Sequence, residues 1–165
     1  MRKLLAPLCL FAALVVQAAV FPVLLPGWIL PDLVFCVAAL TSIIGGFGPG
    51  LAAAAVGGLL QDAVTGVFIG ANAGADMAAA AIIGFAEPKL FKENLITPAV
   101  MVGLGTIVRE LVYLFLAGSF GARIFLARAA LEVIPWMIAL NCCVSALLYR
   151  WVYLAPRERA RSIMM

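Results

Sequence analysis

The chain has 165 residues, of which 66% are hydrophobic and only 12% are charged, and its formal net charge is +3. Its mean hydropathy is +1.17, whereas roughly a quarter of the residues of an ordinary soluble domain are charged. One soluble core of this size cannot bury so much apolar side chain. The composition therefore excludes a soluble globular domain and predicts a protein of the lipid bilayer.

The apolar runs predict helices rather than a β-barrel. A membrane strand alternates apolar and polar residues over about ten positions, and the runs AVGGLL, AAAAIIG and ALNCCVSALL do not alternate. A helix needs about 20 mostly apolar residues to cross a bilayer, which leaves room for at most about six or seven spans and for no separate soluble domain. We predict an all-α polytopic membrane protein made of one integral domain over residues 1–165.

Six helices are predicted along the chain. They fall at about residues 4–25, 31–46, 49–65, 71–87, 97–117 and 129–151, followed by a tail over residues 152–165. Turn chemistry separates them in LPGW, GGFGPG, TGVFIG, EPKLFKEN and GSFGAR. The fourth segment contains Asn72 and Asp76, so a tilted or re-entrant helix is the alternative there. A removable signal is the alternative for the first segment, but the membrane-like sequence downstream favours a retained helix.

Basic residues near helix ends predict the orientation, because they are retained in the cytoplasm. Arg2 and Lys3 precede the first helix, and the tail over residues 152–165 carries the densest arginine cluster. We therefore predict an even number of spans, six, with both termini cytoplasmic. We interpret the basic tail first as a topology signal and second as a contact for anionic lipid or for a protein.

Several kinds of chemistry have no support in the sequence. It contains no histidine, and its four cysteines lie in apolar runs without CxxC spacing. GFGPG lacks the following Lys-Ser/Thr of a phosphate-binding loop. We therefore expect no enzyme, no catalytic residue, no cofactor, no metal site and no nucleic-acid partner.

Four charged residues fall near the middle of predicted helices rather than at the helix ends: Asp62, Asp76, Arg109 and Glu110. Each would cost a few kcal/mol in contact with lipid, so they should face protein or water. We predict that Asp62 or Asp76 is the counter-charge of Arg109. Glu110 should point about 100° away from Arg109 and serve a different neighbour. These charges either fix helix register, shape a partner contact or line a polar cavity; an ion relay has thin support.

Glycines at four-residue spacing, Gly66, Gly70 and Gly74, match a pattern that lets membrane helices pack closely. The segment boundaries place Gly66 and Gly70 between two helices, so we interpret them as turn residues rather than as a dimer face. Homodimerisation is left open.

Three more polar residues have structural interpretations. Asp32 follows Pro31 at the start of a helix, which indicates a cap that also favours the helix dipole. Gln17 and Asn141 lie in the middle of helices, where amides commonly hydrogen-bond between helices.

Residues 30–76 carry a family resemblance. The run LPDLV, the turn GGFGPG and the stretch GGLLQDAVTGVFIGANAGADM resemble the rod shape-determining MreD family. Asp62 matches the acid that follows the Gly-Leu-Leu run of that family, and Gly66 and Gly70 match its next turn. Asp76 and the Arg109–Glu110 pair have no counterpart in the pattern.

The resemblance implies a small, non-enzymatic, six-helix protein of the bacterial inner membrane. Its fold would be related to the substrate-binding subunits of energy-coupling-factor transporters. Its partners would be the bitopic protein MreC and, through it, the MreB filament, the glycosyltransferase RodA and a class B penicillin-binding transpeptidase. The alternative is a vitamin-binding subunit of an energy-coupling-factor transporter, which the shared architecture allows.

Overall fold

The computed structural model describes residues 2–24, 30–65, 67–87, 94–121 and 132–154. These residues form helices and turns, with no strand among them. The helices are α1 (Arg2–Ala19), α2 (Phe21–Leu24), α3 (Leu33–Gly45), α4 (Phe47–Thr65), α5 (Ala71–Ala86), α6 (Ile96–Ser119) and α7 (Ile134–Tyr149). A π-helical turn, Arg150–Leu154, continues α7.

The first predicted helix is divided in the structure. A break at Val20 separates α1 from the four-residue α2. Pro22 lies within α2, and its ring nitrogen cannot donate the hydrogen bond that would continue α1 in the regular pattern. The continuous helix expected over residues 4–25 is therefore two helical pieces.

Among the described residues, two helices are long and apolar enough to cross a membrane by length and composition, Ile96–Ser119 and Ile134–Val152. Three shorter apolar helical stretches of the described residues are Pro7–Val23, which spans parts of α1 and α2, Leu33–Gly45 and Ala71–Ala86. The apolar sequence of the 19-residue α4 is interrupted by glycines and by Gln61 and Asp62. The number of spans therefore stays a prediction.

Helix α3 lies at the centre of the bundle, because it packs against α1, α4, α5, α6 and α7. Its Phe35 and Ile43 are fully buried and share one apolar cluster with Ile83, Val102 and Tyr149. Large apolar side chains of the surrounding helices face outward instead, such as Leu104, Leu111 and Phe115 along α6. A bundle with apolar residues both inside and outside suits a lipid environment.

Helices α4 and α5 form an antiparallel pair with closely packed backbones. A Cβ atom at Gly58 would overlap the backbone of Ala73, and one at Gly84 would lie 2.6 Å from Cα of Phe47. Gly58, late in α4, lies against Ala73, early in α5. Phe47, at the start of α4, lies against Gly84, near the end of α5. Glycine at both ends lets the two backbones approach along their length. This packing places Asp62 beside the first turn of α5.

Candidate functional site

Nine polar side chains form a connected cluster inside the bundle, which we call the buried polar network. Each member exposes 9% or less of its surface. The members are Asp32, Gln61, Asp62, Asn72, Asp76, Thr106, Arg109, Glu110 and Asn141. They come from the residue before α3 and from α4, α5, α6 and α7, so the network crosses most of the bundle.

Arg109 of α6 is the centre of this network. It donates from Nε to Oδ1 of Asp76 at 3.0 Å and from Nη2 to Oδ1 of Asn72 at 2.8 Å. Nη2 also lies 2.5 Å from Oδ2 of Asp32, and Nη1 contacts Oε1 of Glu110. A buried guanidinium requires such partners, because an unpaired charge inside a membrane protein is costly. Arg109 thereby ties α6 to α5 and to the start of α3.

Asp32 joins the arginine to two further helices. Its Oδ1 accepts from the backbone N–H of Phe35 at 3.0 Å and from Nε2 of Gln61 at 2.9 Å. Its own backbone N–H donates to Oδ1 of Asn141 at 2.8 Å, and Nδ2 of Asn141 donates to Oγ1 of Thr106 at 3.1 Å. The predicted cap on α3 is confirmed. The ion pair that the same carboxylate forms with the arginine was not predicted.

Asp62 caps the N-terminus of α5 from the neighbouring helix. Its carboxylate accepts from the backbone N–H of Gly70 at 2.8 Å, of Asn72 at 3.1 Å and of Ala73 at 3.3 Å, and from Nδ2 of Asn72 at 3.0 Å. The first N–H groups of a helix have no partner within the helix, and its dipole favours an anion there. Asp62 supplies both the acceptors and the charge.

Arg109 contacts one of its two predicted counter-charges directly. The pair with Asp76 is confirmed. Asp62 does not pair with Arg109 directly, because Asn72 lies between them, donating to Asp62 and accepting from Arg109. The expectation for Glu110 is wrong: its carboxylate binds Arg109 itself. The two backbone directions diverge by about 100°, but both side chains are long enough for their tips to meet.

The glycine predictions have separate outcomes. Gly70 lies in the turn before α5 with φ of 95°, in the left-handed region, which confirms its interpretation as a turn residue. Gly66 lies outside the described residues. Gly74 lies within α5, where a Cβ atom would come 2.9 Å from Cδ1 of Leu116 in the same chain.

The sequence reasoning missed Gln61 and Thr106 as members of the network. Gln61 was visible as an amide next to Asp62 inside an apolar helix, and that position was a usable signal. Thr106 had no such signal, since its hydroxyl also donates to the carbonyl of Val102 at 2.8 Å, which any helical threonine does. The inter-helix roles of two amides are confirmed: Asn141 bonds as described, and Gln17 accepts from the backbone N–H of Val34 at 3.3 Å.

The arrangement is suited to holding helices together. Within the described ranges, no group of three or more histidine, cysteine, aspartate or glutamate side chains is placed to hold a metal ion. The charged groups contact one another, and removing one partner of a buried pair leaves an uncompensated charge. The network therefore fixes α3 to α7 relative to one another.

This fold and its charged interior define an all-helical membrane protein. The chain belongs to the rod shape-determining protein MreD family, whose model matches residues 1–158, and this match confirms the resemblance of residues 30–76. No curated protein and no solved structure gives a significant match. Proteins of this family are membrane proteins that determine cell shape as part of the MreBCD machinery, and they are structural proteins rather than known enzymes.

Proposed function

We propose that this chain is a non-catalytic scaffold subunit of the bacterial inner membrane that binds an MreC-like bitopic protein. Through that partner it links the MreB filament to lateral wall synthesis by RodA and a class B penicillin-binding transpeptidase. Membership of the family indicates the cellular process in which the chain acts, which is rod shape determination. The observation that supports a scaffold is the binding of the Arg109 guanidinium by four side chains of its own chain.

The packing of the helices supports the same proposal. Gly58 and Gly84 face the backbone of neighbouring helices, and Gly105 faces Ile83 and Phe35, so these small residues serve contacts within the chain. The outward side chains are large and apolar, as at Leu59 of α4 and Leu111 of α6. A partner helix would then bind by van der Waals packing on a rigid apolar face.

A vitamin-binding subunit of an energy-coupling-factor transporter is the competing function. Such a subunit needs a pocket in which a few polar groups face the ligand. Here Asn72, Asp76 and Glu110 each bind Arg109, so these polar groups are engaged within the chain rather than facing a pocket. This favours the scaffold, and the relation of the fold to those transporter subunits remains part of the proposal.

The test is purification of the tagged chain at native expression in mild detergent, with mass spectrometry of the proteins that remain bound. An untagged strain is the control. Recovery of an MreC-like bitopic protein with the wall synthases supports the proposal. Recovery of paired ATPases with a coupling membrane subunit would replace it with the transporter function.

A second experiment locates the partner. A photo-crosslinking residue is placed at one outward position per helix, with one variant each at Leu8, Leu59, Phe85, Leu111 and Leu147, all exposed. A scaffold predicts crosslinks to the bitopic partner from one or two adjacent helices only. Equal crosslinking from every helix would indicate random encounter in the membrane.

A further inference from the structure

Two oxygen atoms in the buried polar network have no hydrogen-bond partner in the part of the chain that the structure describes, Oε1 of Gln61 and Oδ2 of Asp76. Asp76 is 0% exposed and Gln61 is 5% exposed. Buried oxygens are nearly always paired, because burial without a donor costs free energy. Both atoms therefore indicate that the network holds a positively polarised group besides Arg109.

The formal charges of the network lead to the same inference. Arg109 faces the carboxylates of Asp32, Asp76 and Glu110, so one cation is set against three anions. The carboxylate of Asp62, in α4, instead accepts hydrogen bonds from backbone N–H groups at the N-terminus of α5. Two carboxylates that share one site disfavour each other's ionisation. One further positive charge would relieve this repulsion.

The three carboxylates differ in the donors that they receive. Asp32 accepts from Phe35 and from Gln61 and pairs with Arg109. Asp76 and Glu110 each receive one donor, both from Arg109, but Asp76 is 0% exposed whereas Glu110 is 8% exposed. A carboxylate that accepts several N–H groups is held in its ionised form, whereas one with few donors is the better site for a proton.

We propose that the buried polar network binds a proton on Oδ2 of Asp76, so that Asp76 is a neutral carboxylic acid in the folded protein. Its Oδ1 still accepts from Arg109, and its O–H supplies a donor inside the network. Oε1 of Gln61, whose Nε2 donates to Asp32, is the other oxygen of the network that lacks a donor among the described residues. A proton also needs no cavity, which suits a carboxyl group that is 0% exposed.

The test is infrared spectroscopy of the purified chain in lipid nanodiscs near neutral pH. A protonated carboxylic acid gives a carbonyl band that is separate from the carboxylate and amide bands and that shifts in D2O. The expected result is one such band, lost in Asp76→Asn and retained in Glu110→Gln. Glu110→Gln is the matched control, since it replaces another carboxyl group on the same guanidinium with an amide.

Isotope labelling makes the test independent of whether the variants fold. The band of the wild-type chain should shift when aspartate carboxyl carbons are labelled with ¹³C and not when glutamate is labelled. The proposal is overturned if the wild-type chain has no such band, or if the band persists in folded Asp76→Asn. It is also overturned if sodium chloride raises the melting temperature above that in choline chloride of equal ionic strength and Asp76→Asn abolishes the difference, because the site then holds a sodium ion.

Discussion

The guanidinium of Arg109 and the carboxylate of Asp32 form a buried ion pair with 2.5 Å between Nη2 and Oδ2. Arg109 lies within α6 and Asp32 immediately precedes α3, so the pair joins distant parts of the chain. The two side chains expose only 6% and 4% of their surface. Because neither charge can return to water while the bundle is closed, each one depends on the other.

Arg109→Gln should destabilise the fold strongly. The substitution keeps a polar side chain of similar length but leaves the carboxylates of Asp32 and Glu110 without a cation and Asp76 without its donor. Breaking a buried pair in this way costs about 3–5 kcal/mol. We expect a lower melting temperature in detergent and a reduced protein level in cells, followed by loss of rod shape.

Arg150→Gln is the matched control for that variant. Arg150 is exposed at the end of α7, and exposed substitutions usually change the free energy of unfolding by less than about 0.5 kcal/mol. Equal melting temperatures for Arg109→Gln and the wild-type chain would show that the network does not hold the bundle together.

Asp62→Asn should loosen the first turn of α5. The amide retains one acceptor oxygen but loses the charge and the second acceptor that bind the N–H groups of Gly70 and Ala73. Loss of an N-terminal cap costs about 0.5–2 kcal/mol. Hydrogen exchange should become faster at residues 70–73, while Thr65→Ala, at an exposed position in the last turn of α4, should leave it unchanged. Unchanged exchange, complex formation and cell shape in Asp62→Asn would refute the capping role.

Part of this site could be predicted from the sequence alone. A charge inside an apolar segment must have a partner, and this argument limits the counter-charge of Arg109 to Asp62 or Asp76, of which the structure has Asp76. The turn at Gly70 followed from local composition as well. Asp32 shows the limit of such reasoning, because its position after Pro31 explains a cap fully and gives no hint of a second contact across the bundle.

What the sequence could not give is the distance between segments. Whether Arg109 reaches Asp62 or Asp76 depends on how the helices pack. In the structure Arg109 contacts Asp76 directly, whereas Asn72 lies between Arg109 and Asp62 and hydrogen-bonds to both. Glu110 illustrates a different failure. The helical wheel gives backbone directions, whereas the contact with Arg109 depends on the rotamers of two long side chains.

Gly84→Ala should disrupt the pairing of α4 and α5. A Cβ atom there would lie 2.6 Å from Cα and 2.9 Å from the backbone nitrogen of Phe47, and backbone atoms cannot move aside as a side chain can. Overpacking of this kind costs about 1–3 kcal/mol. Gly48→Ala is the control, because nothing lies within 4 Å of a Cβ atom at that helical position. A melting temperature for Gly84→Ala equal to that of Gly48→Ala would contradict the close contact.

Six spans with both termini cytoplasmic predict the response of two reporter fusions. Alkaline phosphatase fused after Gly121 should be active, because the turn after α6 would lie outside the cytoplasm. Green fluorescent protein fused after Met165 should fluoresce, since it would remain inside. Exchanging the two reporters should abolish both signals. Fluorescence after Gly121 would show that the number of spans before that turn is even rather than odd.

The Arg109–Asp32 pair predicts a specific departure from additivity. Arg109→Gln leaves Asp32 as a buried anion, and Asp32→Asn removes that anion while keeping an acceptor for Phe35 and Gln61. The double variant should therefore lose less stability than the sum of the two single variants, by about 1–3 kcal/mol. The measurement is the free energy of unfolding of all four proteins in one detergent. Exact additivity would mean that the two groups do not interact energetically, and the stabilising contacts of Arg109 would then be those with Asp76 and Glu110.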